Sequence, residues 1–383
     1  MAGKVVNSSF LLLSKFGASR QESTSKTATS HIRKPLPTIM KKIFVAILFL
    51  SFQIINSQSI FKYEREIENK ANFNFHEIVF ENEKAEIELS GTLITPKQNF
   101  NEIIIIVPGS TKDTRHSHFI IAEKFLENNI AVYRFDERGI GKSKGNYTDS
   151  SNKLSQDLGY LMKKLSDKFP NQTIGIFGHS RGGMASIELV ENDVKPNFLI
   201  LVGTPVIKNG GYVIKGIERD IDKNPDILDK GKSKEETLNL FKEIFEVFAN
   251  NHDPKIIKKK AKELIKNEGF DSRYIQFVKG FLNDPIFMEV IRKDYTTTLE
   301  TIEVPVLYLV GENDNILNSD LESDFVSSLE NSHIKVIQYE GLNHYLTERN
   351  APVGTSLYKI DKEPLEDIIQ WIKNITVGNK ELR

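Results

Sequence analysis

The sequence predicts an α/β fold: a mostly parallel sheet flanked by helices on both faces, interrupted once by an inserted all-helical segment. Three observations carry this expectation. Short apolar runs rich in β-branched residues recur along the chain, amphipathic stretches separate them, and between residues 207 and 298 the runs stop while helix-start signals crowd together.

The chain begins with a leader. Ile43 to Ile55 is strongly apolar, follows Lys41 and Lys42, and precedes Asn56-Ser57-Gln58-Ser59. This is the form of a signal peptide spanning about residues 40–57, and the run is too short for the roughly 20 residues of a spanning helix. Met40 is the most economical translation start, since residues 1–39 otherwise place a polar Ser-, Thr- and Lys-rich tail before an export signal; an organellar transit peptide is the other reading of that tail. Cleavage after Ser57 removes eight basic residues and one acid, leaving 43 basic against 51 acidic residues, a net charge of −8. A periplasmic or secreted protein with no stable membrane span after cleavage is expected.

The mature chain opens with two strand-like stretches, Phe75 to Phe80 and Ala85 to Ile94, joined by Glu81-Asn82-Glu83-Lys84 as a hairpin. The runs Glu102 to Val107, Ala131 to Phe135, Thr173 to Phe177, Phe198 to Val202, Val304 to Val310 and His333 to Gln338 then suit strands buried on both faces. Helices are expected at Phe119 to Leu126, Asn152 to Phe169, Met184 to Glu191, Asp320 to Leu329 and Pro364 to Ile375. In the interruption, Ser233 and Glu236 form a capping box, and Asp253-Pro254 and Asp284-Pro285 each set a capping acid before a first-turn proline. Four or five helices are read there. The division is therefore an extension and signal peptide over 1–57, the first segment of the sheet-bearing core over 58–206, a helical cap over 207–298, and the second core segment over 299–383.

Composition narrows the chemistry. Of 383 residues 39% are hydrophobic and 27% charged, an ordinary globular balance. With 51 Lys+Arg against 52 Asp+Glu there is no electrostatic footprint for nucleic acid. The absence of cysteine removes disulfides, thiolate metal sites and thiol nucleophiles together. Catalysis by this chain must therefore use oxygen, nitrogen or a bound cofactor.

Gly178-His179-Ser180-Arg181-Gly182-Gly183 is a G-x-S-x-G motif between an expected strand and an expected helix. So sharp a turn needs glycine beside the serine and leaves the hydroxyl raised at the carboxyl end of the sheet, with the Arg181 backbone N–H at the helix start facing a developing oxyanion. A serine nucleophile needs a base, and the base needs a carboxylate to hold its tautomer. Two later strands run into candidate loops, Gly311-Glu312-Asn313-Asp314-Asn315 and Glu340-Gly341-Leu342-Asn343-His344-Tyr345, which give Asp314 and His344; Glu312 and Asp320 are the rival acids. Of the other histidines, His31 is in the leader, His76 precedes the alternation, His179 is the variable position of the elbow, His116, His118 and His252 follow no strand, and His333 starts one. The loop Pro108-Gly109-Ser110 offers a second oxyanion donor at the Ser110 N–H. Asp136 to Ser143 lacks the order and spacing of a phosphate loop and reads as turn chemistry, with Asp136 and Arg138 tying adjacent loops.

On these residues the chain resembles the α/β-hydrolase superfamily, and within it the bacterial carboxylesterase-like serine hydrolases with a helical cap. The resemblance rests on Leu89 to Pro96, the Pro108-Gly109-Ser110 loop, Asp136 to Ser143, Gly178 to Gly183, Val304 to Asp314 and Gly341 to His344. It implies Ser180 as nucleophile, Asp314 as acid, His344 as base, and oxyanion amides on Ser110 and Arg181. Two departures stand beside the acyl site: Thr111 to Arg115 is shorter and bulkier than in relatives, and position 181, often Glu there, is Arg here. The expected activity is hydrolysis of small-molecule carboxylic esters, with ester rather than amide preference resting on the resemblance; no metal or organic cofactor is called for. A serine peptidase or amidase of the same fold is the alternative, and a non-catalytic binding module a more distant one. Phe241, Phe245, Phe248, Tyr274 and Phe281 are candidates for the substrate pocket, although their helical spacing also fits the cap's own core.

Overall fold

A computed structural model describes residues 61, 63–348 and 358–381, the last five of these in backbone only. The leader expectations fall on residues outside this range. Strands β1 (Phe73–Asn82) and β2 (Ile87–Pro96) form an antiparallel hairpin paired from Phe73 with Pro96 to Asn82 with Ile87. It is longer than its sequence indicates because Asn82 closes it: its side chain accepts from the Ala85 N–H at 3.0 Å and donates to Asp157 at 2.7 Å. Polar residues that read as a turn thus extend the strand.

After the hairpin, strand and helix alternate: β3 (Glu102–Val107), α1 (Phe119–Glu127), β4 (Ala131–Phe135), α2 (Ser151–Lys168), β5 (Thr173–His179), α3 (Arg181–Glu191) and β6 (Phe198–Val202). Helix α3 begins at Arg181, three residues before the expected start at Met184. The paired glycines that weaken the helical signal are required there, since a Cβ on Gly182 would meet the Val107 and Pro108 carbonyls at the end of β3 and one on Gly183 the Thr204 side chain beyond β6.

Between β6 and the next strand lie α4 (Gly211–Lys223), α5 (Lys234–Ala249), α6 (Pro254–Asn267), α7 (Tyr274–Leu282), α8 (Pro285–Ile291) and α9 (Thr296–Thr301), with a short 3-10 turn at Pro225–Ile227. Five α-helices, α4 to α8, lie within residues 207–298, in line with the four or five expected there; α9, of only 6 residues, runs past that boundary and is too short to display a helical period. Both halves of the Ser233–Glu236 capping box are made, and Asp253 and Asp284 cap α6 and α8. The segment has its own hydrophobic cluster, from Val213 to Ile291, in which Phe241, Phe245, Phe248, Tyr274 and Phe281 are all buried. Those aromatics form core, as their helical spacing allows. Tyr295 and Leu299 instead join the core beneath the sheet, so the segment's own packing ends at Ile291.

The chain closes with β7 (Val306–Gly311), α10 (Ser319–Ser328), β8 (Ile334–Tyr339) and α11 (Lys362–Glu381). The sheet order is β1-β2-β4-β3-β5-β6-β7-β8, antiparallel through β4 and parallel from β4 to β8. Every residue of β4, β6 and β7 is buried, since one core layer with α2 and α3 covers one face and another with α1 and α11 covers the other. Register then sets function. Val107 stands opposite Gly178, and His179 opposite Val202, so the loops after β3, β5 and β6 leave the sheet side by side.

Candidate active site

Ser180 sits on the bend between β5 and α3 with φ 53° and ψ −117°, a conformation that side-chain-bearing residues rarely adopt. Its backbone N–H donates to the Val202 carbonyl at 2.8 Å, which fastens the bend to the end of β6. The bend needs glycine at 178, where a Cβ would stand 2.8 Å from the Gly182 oxygen and from the Gly183 backbone. Ser180 itself is half-buried.

Asp314 and His344 meet. The His344 Nδ1 lies 2.7 Å from Asp314 Oδ2, while Asp314 Oδ1 accepts from the backbone N–H groups of Ile316 and Leu317 at 2.7 and 2.9 Å. Both carboxylate oxygens are therefore committed, Oδ2 to the imidazole Nδ1 and Oδ1 to two backbone N–H groups, so that Nε2 is the ring nitrogen outside this pair. The rival acids have other work: Glu312 accepts from the Gly341 N–H at 3.0 Å, and Asp320 from the Gln338 side chain at 2.8 Å. The His344 ring rests against Gly203, the residue after β6, and the Ser180 N–H binds the residue before it, Val202. Serine and imidazole thus converge on the end of one strand.

Ser110 is half-buried in the loop after β3, and a Cβ on the preceding Gly109 would lie 3.4 Å from the Ser180 Cβ. Arg181 opens α3. Its side chain is buried, where Nη2 donates to the Gly109 carbonyl at 2.7 Å and to Glu137 at 2.6 Å, Nε to the same carbonyl at 3.2 Å, and Nη1 to the Thr148 carbonyl at 3.1 Å. Burial alone would weaken the Arg181 charge, but the Glu137 carboxylate beside it holds the guanidinium protonated above its ordinary range. The five sequence-derived residues therefore share one end of the sheet.

A family profile described as "Serine aminopeptidase, S33" matches residues 98–268. Among solved structures, an esterase from Pyrococcus furiosus aligns with TM-score 0.53 at 17% identity, covering 81% of this chain and 94% of that one. A putative lipase from Acinetobacter baumannii aligns with TM-score 0.50 at 16% identity, covering 85% and 97%. The chain has the α/β-hydrolase fold. No match was found among curated proteins.

Within this α/β-hydrolase fold, the segment from Asp136 to Ser143 is the brace its composition indicates. Asp136 accepts from the Arg115 backbone and guanidinium and from the Lys142 N–H, and Arg138 pairs with Asp157 of α2 at 2.7 Å. Sequence reasoning misses three features. Glu137, between those two braces, is the partner of Arg181. Gly203, at φ 52°, makes room for His344; a glycine directly after an apolar run is its only signal. His179 Nε2 lies 3.2 Å from the His344 carbonyl, and burial keeps the His179 ring neutral by pushing its pKa well below the ordinary value. No described helix is long and apolar enough to cross a membrane.

Proposed function

We infer that the protein is a serine hydrolase that cleaves carboxylic esters through an acyl-enzyme on Ser180. One observation carries the reading: a strained, half-buried serine shares the end of β6 with an imidazole whose Nδ1 is committed to a buried carboxylate. In this reading Ser180 Oγ bonds to the ester carbonyl carbon as its proton passes to His344 Nε2. The tetrahedral oxyanion is held by the N–H groups of Arg181 and Ser110, and its collapse breaks the bond to the alcohol oxygen, which takes the proton from His344. Water, deprotonated by the same imidazole, then releases the acid. The helices between β6 and β7 act as a cap over this end of the sheet, and the leader exports the chain to the periplasm or medium.

The solved structures named an esterase and a putative lipase support the ester reading. A peptidase or amidase is the second reading, favoured by the family description that matches residues 98–268. Purified mature protein is assayed with p-nitrophenyl acetate and butyrate beside Ser180→Ala. Equal rates for the two proteins overturn the reading, and cleavage of aminoacyl-anilides without cleavage of esters selects the second. For export, N-terminal sequencing of secreted material should begin near Gln58; an unprocessed chain contradicts the leader assignment.

A further inference from the structure

We propose that the Arg181 side chain is a positioning group for the oxyanion hole: it holds the Gly109 peptide so that the Ser110 N–H faces the reacting carbonyl, while the backbone N–H of the same residue supplies the other donor. This deepens the reading of Ser180 as nucleophile and rests on it.

In a trans peptide the C=O of one residue and the N–H of the next point in opposite directions, so fixing the Gly109 carbonyl fixes the Ser110 amide. Glycine offers no side-chain barrier to turning that plane, and some other group must therefore set it. Arg181 does so with two N–H groups on one carbonyl oxygen, Nη2 at 2.7 Å and Nε at 3.2 Å. Among the described residues the Ser110 N–H donates to no neighbour and is left for a ligand. Were the plane reversed, the Gly109 oxygen would face the oxyanion and repel it.

The guanidinium is itself held on its remaining sides. Glu137 accepts from Nη2 through both carboxylate oxygens, at 2.7 and 2.6 Å, and the Thr148 carbonyl accepts from Nη1 at 3.1 Å. Arg181 and Glu137 are both nearly inaccessible to solvent, at 3% and 2%, so the side chain meets no substrate and acts only through the loop. A lysine at 181 could answer the Glu137 charge but has no planar fork with which to grip the carbonyl at two points.

The experiment separates positioning from a merely structural ion pair. The charge-swapped variant Glu137→Arg with Arg181→Glu keeps a buried pair but sets a carboxylate against the Gly109 oxygen. The proposal expects it to fold, with kcat on p-nitrophenyl butyrate lower by about 100-fold and KM within about threefold, the size of losing one oxyanion donor. Arg181→Lys should fall between the parent and the swapped variant. Crystal structures of Arg181→Lys and Arg181→Met, in which the Gly109 carbonyl should turn, give a readout independent of activity. Unchanged kcat in the swapped variant, or an unmoved Gly109 peptide in Arg181→Met, overturns the proposal. If the parent hydrolyses no acyl substrate, the catalytic reading fails, and the orientation of that peptide still decides whether Arg181 sets it.

Discussion

Gly203 and His344 are packed so closely that a methyl group on Gly203 would stand 2.9 Å from the imidazole Nδ1 and 3.0 Å from its Cε1. Gly203 also has φ 52°, in the left-handed region. Gly203→Ala therefore strains the backbone and pushes the ring away from Asp314. It should cost about 1–2 kcal/mol of stability from the backbone alone and lower kcat by at least about tenfold, one factor of ten for each ~1.4 kcal/mol of displaced geometry. Thermal melts and steady-state kinetics check both. Full activity would mean that the ring has room it does not show.

Asp314 orients His344 through Oδ2 and is pinned by two backbone N–H groups through Oδ1. Asp314→Asn conserves shape but offers the imidazole an amide in place of a carboxylate, which reverses the tautomer. A fall in kcat of about 10⁴-fold is expected with little change in melting temperature. A loss of tenfold or less would assign the orienting role elsewhere.

Phe245 is fully buried among Phe241, Phe248, Phe281 and Phe287. Phe245→Ala should cost about 3–5 kcal/mol. Since this cluster is separate from the two beneath and above the sheet, hydrogen exchange should accelerate across residues 211–291 before it does in β3 to β7. Uniform acceleration through the sheet would show that the two regions unfold as one.

Stability should fall as pH rises from about 6.5 to 8, with Glu322 as a principal cause. Burial pushes its carboxyl up from 4.5 to about 8 and nearby Asp314 adds to this, while the N–H groups of Val206 and Ile207 pull the other way. A carboxyl raised in the folded state keeps its proton there longer than in the unfolded chain. Its contribution is therefore complete below the unfolded value and lost as pH climbs through the folded one. The buried histidines work oppositely: burial lowers His118 to about 3 and His179 well below its ordinary 6.5, so their contribution is already complete above that value. Melting temperatures measured across this interval should decline by a few degrees, and Glu322→Gln should flatten the slope. An unchanged slope in that variant would place the titration elsewhere.

Much of this architecture is legible from residue order. Continuous apolar runs mark the parallel strands because both faces of the sheet are covered, and chemistry collects where such strands end, which points to Asp314 and His344. Local polar signals name the caps at Ser233, Asp253 and Asp284. What is not legible depends on approach through space. Glu137 and Arg181 are 44 positions apart, and nothing local to either foretells the other. The same holds for Gly203, whose need for glycine is imposed by a ring from beyond β8. The start of α3 is hidden because its two glycines answer Val107 at the end of β3 and Thr204 beyond β6, and not helical propensity.

The pair beneath the Gly109 carbonyl also bears on descent. Losing the guanidinium first would leave the buried Glu137 carboxyl without its partner, and losing the carboxylate first would leave a buried cation without one, so either single step is disfavoured. Positions 137 and 181 are therefore expected to change as a pair, although 44 positions separate them in the chain.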